Sequence, residues 1–283
     1  MDESYTTASS HTNHSPEGEM IPPIGPPVAV PEYAPGEPPA SKRGLRERFG
    51  APGTYVLVGI NCAVFLWMVT HGVSVQSPTS DQLVHFGATN VGRMLLHGEW
   101  YRLLTAIFVH VGWIHLATNM WCLWNLGMLG EPLLGPWGLI AIYVLTGAAG
   151  NLLSMAVNVL FRDYNAVGAG ASGAVFGIAG ILIVLLSNKR LPIPWAELQR
   201  LRRSVIQFAV LNLVIGLGSV FMDVIRIDNM AHIGGFLSGL ALGVPLVPKM
   251  TAGRERYLAR QKATFVGAAL LLSLFGYWIA NLG

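Results

Sequence analysis

The sequence predicts an all-α fold, a polytopic transmembrane helical bundle of about seven spans, and three observations lead there. Apolar residues make up 52% of the 283 positions and charged residues 12%, with a mean hydropathy of +0.50, whereas a soluble domain is roughly 25% charged. Seven separate stretches approach the ~20 apolar residues that a bilayer core demands of a helix. The basic side chains gather beside those stretches and not within them, as lipid headgroups favour.

Taken in order, residues 1–52 read as a disordered, Pro-rich cytoplasmic tail, too poor in large apolar side chains to offset the entropy of ordering. With Asp2, Glu3, Glu17 and Glu19, and no Arg before Arg43, the tail is a poor transit peptide, and it lacks the apolar stretch of a secretory signal. The apolar stretches cover about 54–74, 113–131, 137–160, 167–187, 204–222, 228–247 and 263–281. Pro132 and Pro136 are expected to bracket the turn after the second stretch, Pro192 and Pro194 to follow the fourth, and Pro245 and Pro248 to close the sixth. The segment Ser74 to Gly112 does not fit a span. Its apolar part, Trp100 to Val111, is short and broken by Arg102 and His110, which predicts a folded loop partly dipping into the interface. Residues 53–248 therefore read as a transmembrane core, and 249–283 as a basic linker with a seventh helix.

If the spans alternate, the cluster Lys42, Arg43, Arg46 and Arg48, the cluster from Lys189 to Arg203 and the cluster from Lys249 to Lys262 share one side. Only Arg93, Arg102, Arg162 and Arg226 fall on the other. The positive-inside rule then puts the N-terminus in the cytoplasm and the C-terminus outside. The expected setting is a cell membrane, a bacterial plasma membrane. Helices two, four and six would all enter from the outer face, and His115, Ser172 and His232 lie close to their starts, so the three share a depth.

Ser172 sits in the run Gly168 to Gly177, a lone hydroxyl among glycines and alanines. On its own such a serine reads as helix packing, bonded to a carbonyl one turn back. Amide hydrolysis by serine needs a nucleophile, a base and donors for the oxyanion, and the other spans hold candidates. His232 lies one turn before a smooth face of Gly235, Gly239 and Gly243, which suits close approach to the Gly-rich fourth stretch. A neutral imidazole there can take the hydroxyl proton and return it to the leaving amine. His115 and Asn119, spaced i and i+4, share a helix face and are both side-chain donors. Structural readings stand beside these: a histidine satisfied by a carbonyl near the interface, and a His and Asn pair bonding each other or the loop. His110, near the end of the loop, would steady the same region.

Absences narrow the chemistry. Every Asp and Glu lies in the tail, in a loop or near a helix end, which argues against an intramembrane aspartyl protease and a relay of buried acids. It also leaves His232 without a third member, so a Ser and His pair is expected, not a triad. No His-Glu-x-x-His occurs, which disfavours a zinc protease. Cys62 and Cys122 both fall in apolar runs and read as small core residues. No nucleic-acid motif is present.

Gly170, Ala171, Ser172 and Gly173 on one helix, His115 and Asn119 on an earlier one, and Ala231, His232, Ile233 and Gly234 on a later one resemble the rhomboid intramembrane serine proteases. The resemblance covers about 54–247, with a seventh helix appended. It implies Ser172 as nucleophile, His232 as general base and acid, and His115 and Asn119 as oxyanion donors. Supporting positions are His110, Arg102, Phe176, Gly170, Gly173 and Gly235. Two positions depart from the family pattern. The first loop reads Glu99, Trp100, Tyr101, Arg102, with Tyr where Trp is common, and Phe176 stands where some members carry tyrosine. Arg102 would still brace the loop under the aromatic ring, and Phe176 can stack on His232 without donating a hydrogen bond.

The expected function is therefore endopeptidase cleavage of single-pass membrane proteins near the outer face, in the lipid bilayer, with no metal, no organic cofactor and no nucleic acid. One alternative is a catalytically silent relative that binds transmembrane clients. A transporter is disfavoured by the missing buried charges and paired interrupted repeats.

Overall fold

A computed structural model describes residues 50–219 and 228–281. The predicted tail, apart from its last three residues, lies outside the described residues, as do 220–222 of the fifth predicted stretch and Arg226. Helices occur in all seven predicted stretches. In order they are α1 (Pro52–Thr70), then the short α2 (Ser80–His85), α3 (Val91–His97) and α4 (Arg102–Thr105), then α5 (Trp113–Leu134), α6 (Pro136–Leu160), α7 (Ser172–Leu185), α8 (Trp195–Ser219), α9 (Asn229–Gly243) and α10 (Arg254–Ala280). Two two-residue strands, β1 (Thr89–Asn90) and β2 (Val167–Gly168), pair antiparallel, Thr89 opposite Gly168 and Asn90 opposite Val167.

Among the described residues, α1, α6 and α10 are long and apolar enough to cross a membrane, and α7 is apolar but shorter. Two of the helices are shorter than the stretches that predict them. The fourth, read as 167–187, is the 14-residue α7, and the sixth, read as 228–247, is the 15-residue α9. At 1.5 Å per residue each is about 22 Å long. For α7 the reason lies at its start. Val167 and Gly168 are spent on the strand pair, and Gly170 takes φ +133°, a left-handed conformation that stops a helix from starting before it. Conversely, α8 and α10 begin about nine residues before their apolar runs, at Trp195 and Arg254, on polar turns of good helix formers. Pro132 lies inside α5 and not in the turn. That turn is made by Gly135 at φ +75°, followed by Pro136 at the start of α6, where a missing N–H costs nothing.

Buried polar contacts tie the long helices together. The Glu131 carboxylate, near the end of α5, accepts from the Gly53 and Thr54 backbone N–H groups at 2.9 and 2.8 Å and from the Thr54 hydroxyl at 2.9 Å. It thus satisfies donors that the first turn of α1 cannot pair internally. In the centre, the Tyr143 hydroxyl accepts from Asn61 Nδ2 at 2.9 Å and lies 3.3 Å from the Ile107 carbonyl, joining α1, α6 and the loop before α5. Around these pairs a single apolar core runs through α5, α6 and α7, including Leu123, Leu139, Ile142, Ile178 and Leu182.

The segment 74–112 packs Leu83, Ala88 and Val109 against Met68 of α1 and Val73 just after it in a small separate core. Thr79 and Gln82 form a reciprocal capping box at α2, and Asn90 caps α3. Arg102 is buried beneath it. Its guanidinium donates to the carbonyls of Val84 at 2.6 Å and Ala88 at 2.9 Å and to Glu99, and Tyr101 lies against it with the ring centroid 5.4 Å from Cζ. The Arg102 hydrogen bond holds the Glu99 carboxyl below its ordinary range.

Candidate active site

Ser172 is the first residue of α7, and the chain reaches it through Gly170, whose N–H donates to the Ala106 carbonyl at 2.9 Å. A Cβ on Gly170 would sit 2.6 Å from His115 Cε1. The glycine therefore supplies both the backbone conformation and the room that lets the α7 start lie against the α5 imidazole. Ala171 caps α7 with no side-chain bond, so the first N–H groups of the helix, that of Ser172 included, have no intrahelical acceptor.

On α5, His115 is the third residue and Asn119 lies one turn further in. His115 Nδ1 accepts from the Val111 N–H at 3.3 Å, which assigns the ring proton to Nε2. Asn119 Nδ2 donates to the His115 carbonyl at 2.9 Å, and the second proton of that amide has no acceptor among the described residues. His110 is buried behind His115, rings 5.4 Å apart, with Nδ1 3.1 Å from the Phe108 carbonyl. It does not reach the cavity described below.

His232 is the fourth residue of α9 and is 5% exposed. Its ring stacks on Phe176, centroids 4.4 Å apart and planes 15° from parallel. Nδ1 is buried and has no hydrogen-bond partner among the described residues, so ring packing is the contact that orients it. The backbone beneath is set by glycines. A Cβ on Gly235 would fall on the Gly173 carbonyl, one on Gly239 on the Gly177 carbonyl, and one on Gly173 would lie 3.2 Å from the Ala231 carbonyl. α7 and α9 are thus in backbone contact along the face predicted from the glycine spacing.

Ser172, His232, His115 and Asn119 border one cavity of about 440 Å³, together with Phe176 of α7, Phe208 and Asn212 of α8, the β2 backbone and Asp228. No hydrogen bond joins the Ser172 hydroxyl to His232 among the described residues, so proton transfer between them requires that the two come within hydrogen-bonding distance, about 3 Å, as resting hydrolases commonly need. Arg102 lies outside this cavity, in the loop layer. Asn212, Phe208 and Asp228 are among the contributors that the sequence does not single out. Asn212 is visible there as a lone amide in an apolar run, Phe208 is indistinguishable from core, and Asp228 reads as a helix-end acid. Among the described residues no cluster of three or more His, Cys, Asp or Glu is arranged to hold a metal ion.

Comparison with known proteins gives the site a context. The Rhomboid domain family matches residues 97–249, just over half the chain. Rhomboid protease GluP of Bacillus subtilis is 35% identical over 208 residues, 73% of this chain and 37% of its own length. Rhomboid protease AarA of Providencia stuartii is 32% identical over 238 residues, 77% of this chain and 79% of its own. RHOMBOID-like protein 5 of Arabidopsis thaliana is 34% identical over 156 residues, with 47% of its length covered. The chain thus spans most of the Providencia relative and half or less of the other two.

Proposed function

The chain belongs to the rhomboid protease family, and from that premise we propose that it is a serine-type intramembrane endopeptidase in which Ser172 and His232 form the catalytic pair. The observation that carries this is the single cavity bordered by a hydroxyl at the start of α7, an imidazole on α9 and two donors on α5. The Ser172 hydroxyl attacks the scissile carbonyl carbon while His232 takes its proton. The resulting oxyanion is met by the Ser172 N–H, His115 Nε2–H and the free Asn119 amide proton. Collapse of that intermediate breaks the C–N bond, and His232 returns the proton to the leaving amine. Water, activated by the same imidazole, then hydrolyses the acyl-enzyme.

The substrate in this reading is a single-pass membrane protein whose helix unwinds near the cut, because a helical carbonyl is engaged in its own hydrogen bond. The basic clusters support an N-terminus in the cytoplasm and a cavity at the outer face of a bacterial plasma membrane. Residues 53–248 form the catalytic unit in this reading, with 249–283 added to it.

Cleavage of a model single-pass substrate in liposomes tests the proposal. Wild type cuts, and Ser172→Ala and His232→Ala each lose about 10⁴-fold or more in kcat. Unchanged cleavage in either variant ends the mechanism, and no cleavage by wild type on several substrates would favour a silent, client-binding member.

A further inference from the structure

The contacts made by the His232 ring itself leave the direction of its nitrogens to the placement of α9. Stacking on Phe176 fixes the ring plane and not the direction of its nitrogens, and Nδ1 has no hydrogen-bond partner among the described residues. The glycine faces of α7 and α9 set how near the helices come, but small-residue packing carries few directional bonds. Directional bonds do occur one turn before His232, at Asp228. Its Oδ1 accepts from the Ala231 N–H at 3.0 Å, capping α9. Its Oδ2 accepts from the Ser154 hydroxyl of α6 at 2.5 Å, and the Ser154 oxygen in turn accepts from Asn158 Nδ2 at 3.4 Å. One turn earlier on α6, a Cβ on Gly150 would lie 2.5 Å from the Ala231 carbonyl. Ala231, the neighbour of His232, is thus wedged between α6 and α7 and pinned through its N–H.

We propose that Asp228 is a positioning residue: with Ser154 it latches the first turn of α9 to α6 and so sets where the His232 imidazole meets the Ser172 hydroxyl. The inference rests on the catalytic pair proposed above. Asp228 touches no reacting atom in this scheme; it acts through the helix that carries the base. Both of its contacts survive in an amide, since an asparagine oxygen can accept from the Ala231 N–H while its NH₂ donates to the Ser154 oxygen. They vanish in alanine.

The test uses the full chain in liposomes, with steady-state cleavage of a single-pass substrate by wild type, Ser172→Ala, Asp228→Ala, Asp228→Asn, Ser154→Ala and the Asp228→Ala/Ser154→Ala double variant. A shift of about 1 Å in a catalytic group costs on the order of 10²-fold. The latch predicts that Asp228→Ala lowers kcat by about 10- to 100-fold with KM within about twofold, that Asp228→Asn stays within about threefold of wild type, and that Ser154→Ala falls between. The double variant is no slower than Asp228→Ala, because both single changes break one unit. If Asp228→Ala does not fold, Ser154→Ala against Asp228→Asn decides the same question. Wild-type turnover by Asp228→Ala or Ser154→Ala overturns the latch, as does an equal fall in Asp228→Asn and Asp228→Ala. Cleavage that persists in Ser172→Ala overturns the catalytic pair itself. Ser172-dependent cleavage with unaltered Asp228→Ala kinetics overturns the latch alone.

Discussion

Two helices, α9 and α10, lean on the same α6, but α9 adds close backbone contact to its Asp228 bonds where α10 relies on side-chain bonds at its first turns. α9 is short, and its glycines place backbone against backbone, Gly235 on Gly173, Gly239 on Gly177, and the Ala231 carbonyl under Gly150. α10 is 27 residues long and largely exposed, with Gln261, Gly276 and Ile279 its buried positions. Its first turns are fastened by side chains: Tyr257 donates to the Leu133 carbonyl at 3.0 Å and Gln261 Nε2 to the Leu134 carbonyl at 2.9 Å. The helix that carries an imidazole has no room for a Cβ at Gly235 or Gly239. The appended helix caps the last carbonyls of α5 through flexible tips and leaves most of its length facing outward. Precision is concentrated where the proposed chemistry is, and tolerance where it is not.

This contrast can be broken most directly at Gly235. Gly235→Ala puts a methyl group onto the Gly173 carbonyl, and because a backbone atom cannot turn aside as a side chain can, a loss of about 3 kcal/mol is expected. Cleavage falls with it; thermal unfolding in detergent and substrate turnover together check this. A Gly235→Ala variant as stable and active as wild type would show that α7 and α9 are not in tight backbone contact.

Gln261→Ala is the counterpart on α10. It frees the Leu134 carbonyl, a buried acceptor, at about 1 kcal/mol, with turnover per folded molecule unchanged. Gly267, also on α10, has open space where a Cβ would stand, with no neighbouring atom within 4 Å, so Gly267→Ala should leave turnover unchanged and stabilise by up to about 1 kcal/mol, the helix-propensity difference. A large loss of turnover in either variant would erase the distinction between the two helices.

The smallest effect sharpens the comparison from outside both helices. The Arg102 hydrogen bond keeps the folded-state pKa of Glu99 below its ordinary value of 4.5. A lowered carboxylate pKa contributes stability that is present above the unfolded value and is lost as pH falls through the folded one. Unfolding temperature should therefore decline below about pH 4.5 more steeply in wild type than in Glu99→Gln, and the two curves should run parallel near neutrality.

Much of this is legible in the sequence. The seven apolar stretches each hold a helix because composition alone separates them, and the i to i+4 spacing of His115 and Asn119 puts them on one helix face at the cavity. The four-residue repeat of Gly235, Gly239 and Gly243 announces backbone contact before any partner is known. Helix ends are harder to read where apolar residues do other work: Val167 and Gly168 count as hydrophobic, yet pair with β1. Polar turns such as 195–203 resemble loop and are helix, because hydropathy registers lipid and not propensity. Asp228 and Glu131 are placed correctly near helix ends, but their partners, Ser154 and the start of α1, lie 74 and 77–78 residues away in the chain. Contacts of that range leave no periodic trace.

The Glu131 clamp has a practical reach. Most helices borrow their opening acceptor from the residue just ahead, so trimming the chain there frays them. Here the acceptor for the first long helix is supplied from the far end of another, across 77–78 positions. Shortened versions starting at Gly50 should keep that helix anchored, which offers a smaller starting material for crystallisation or reconstitution.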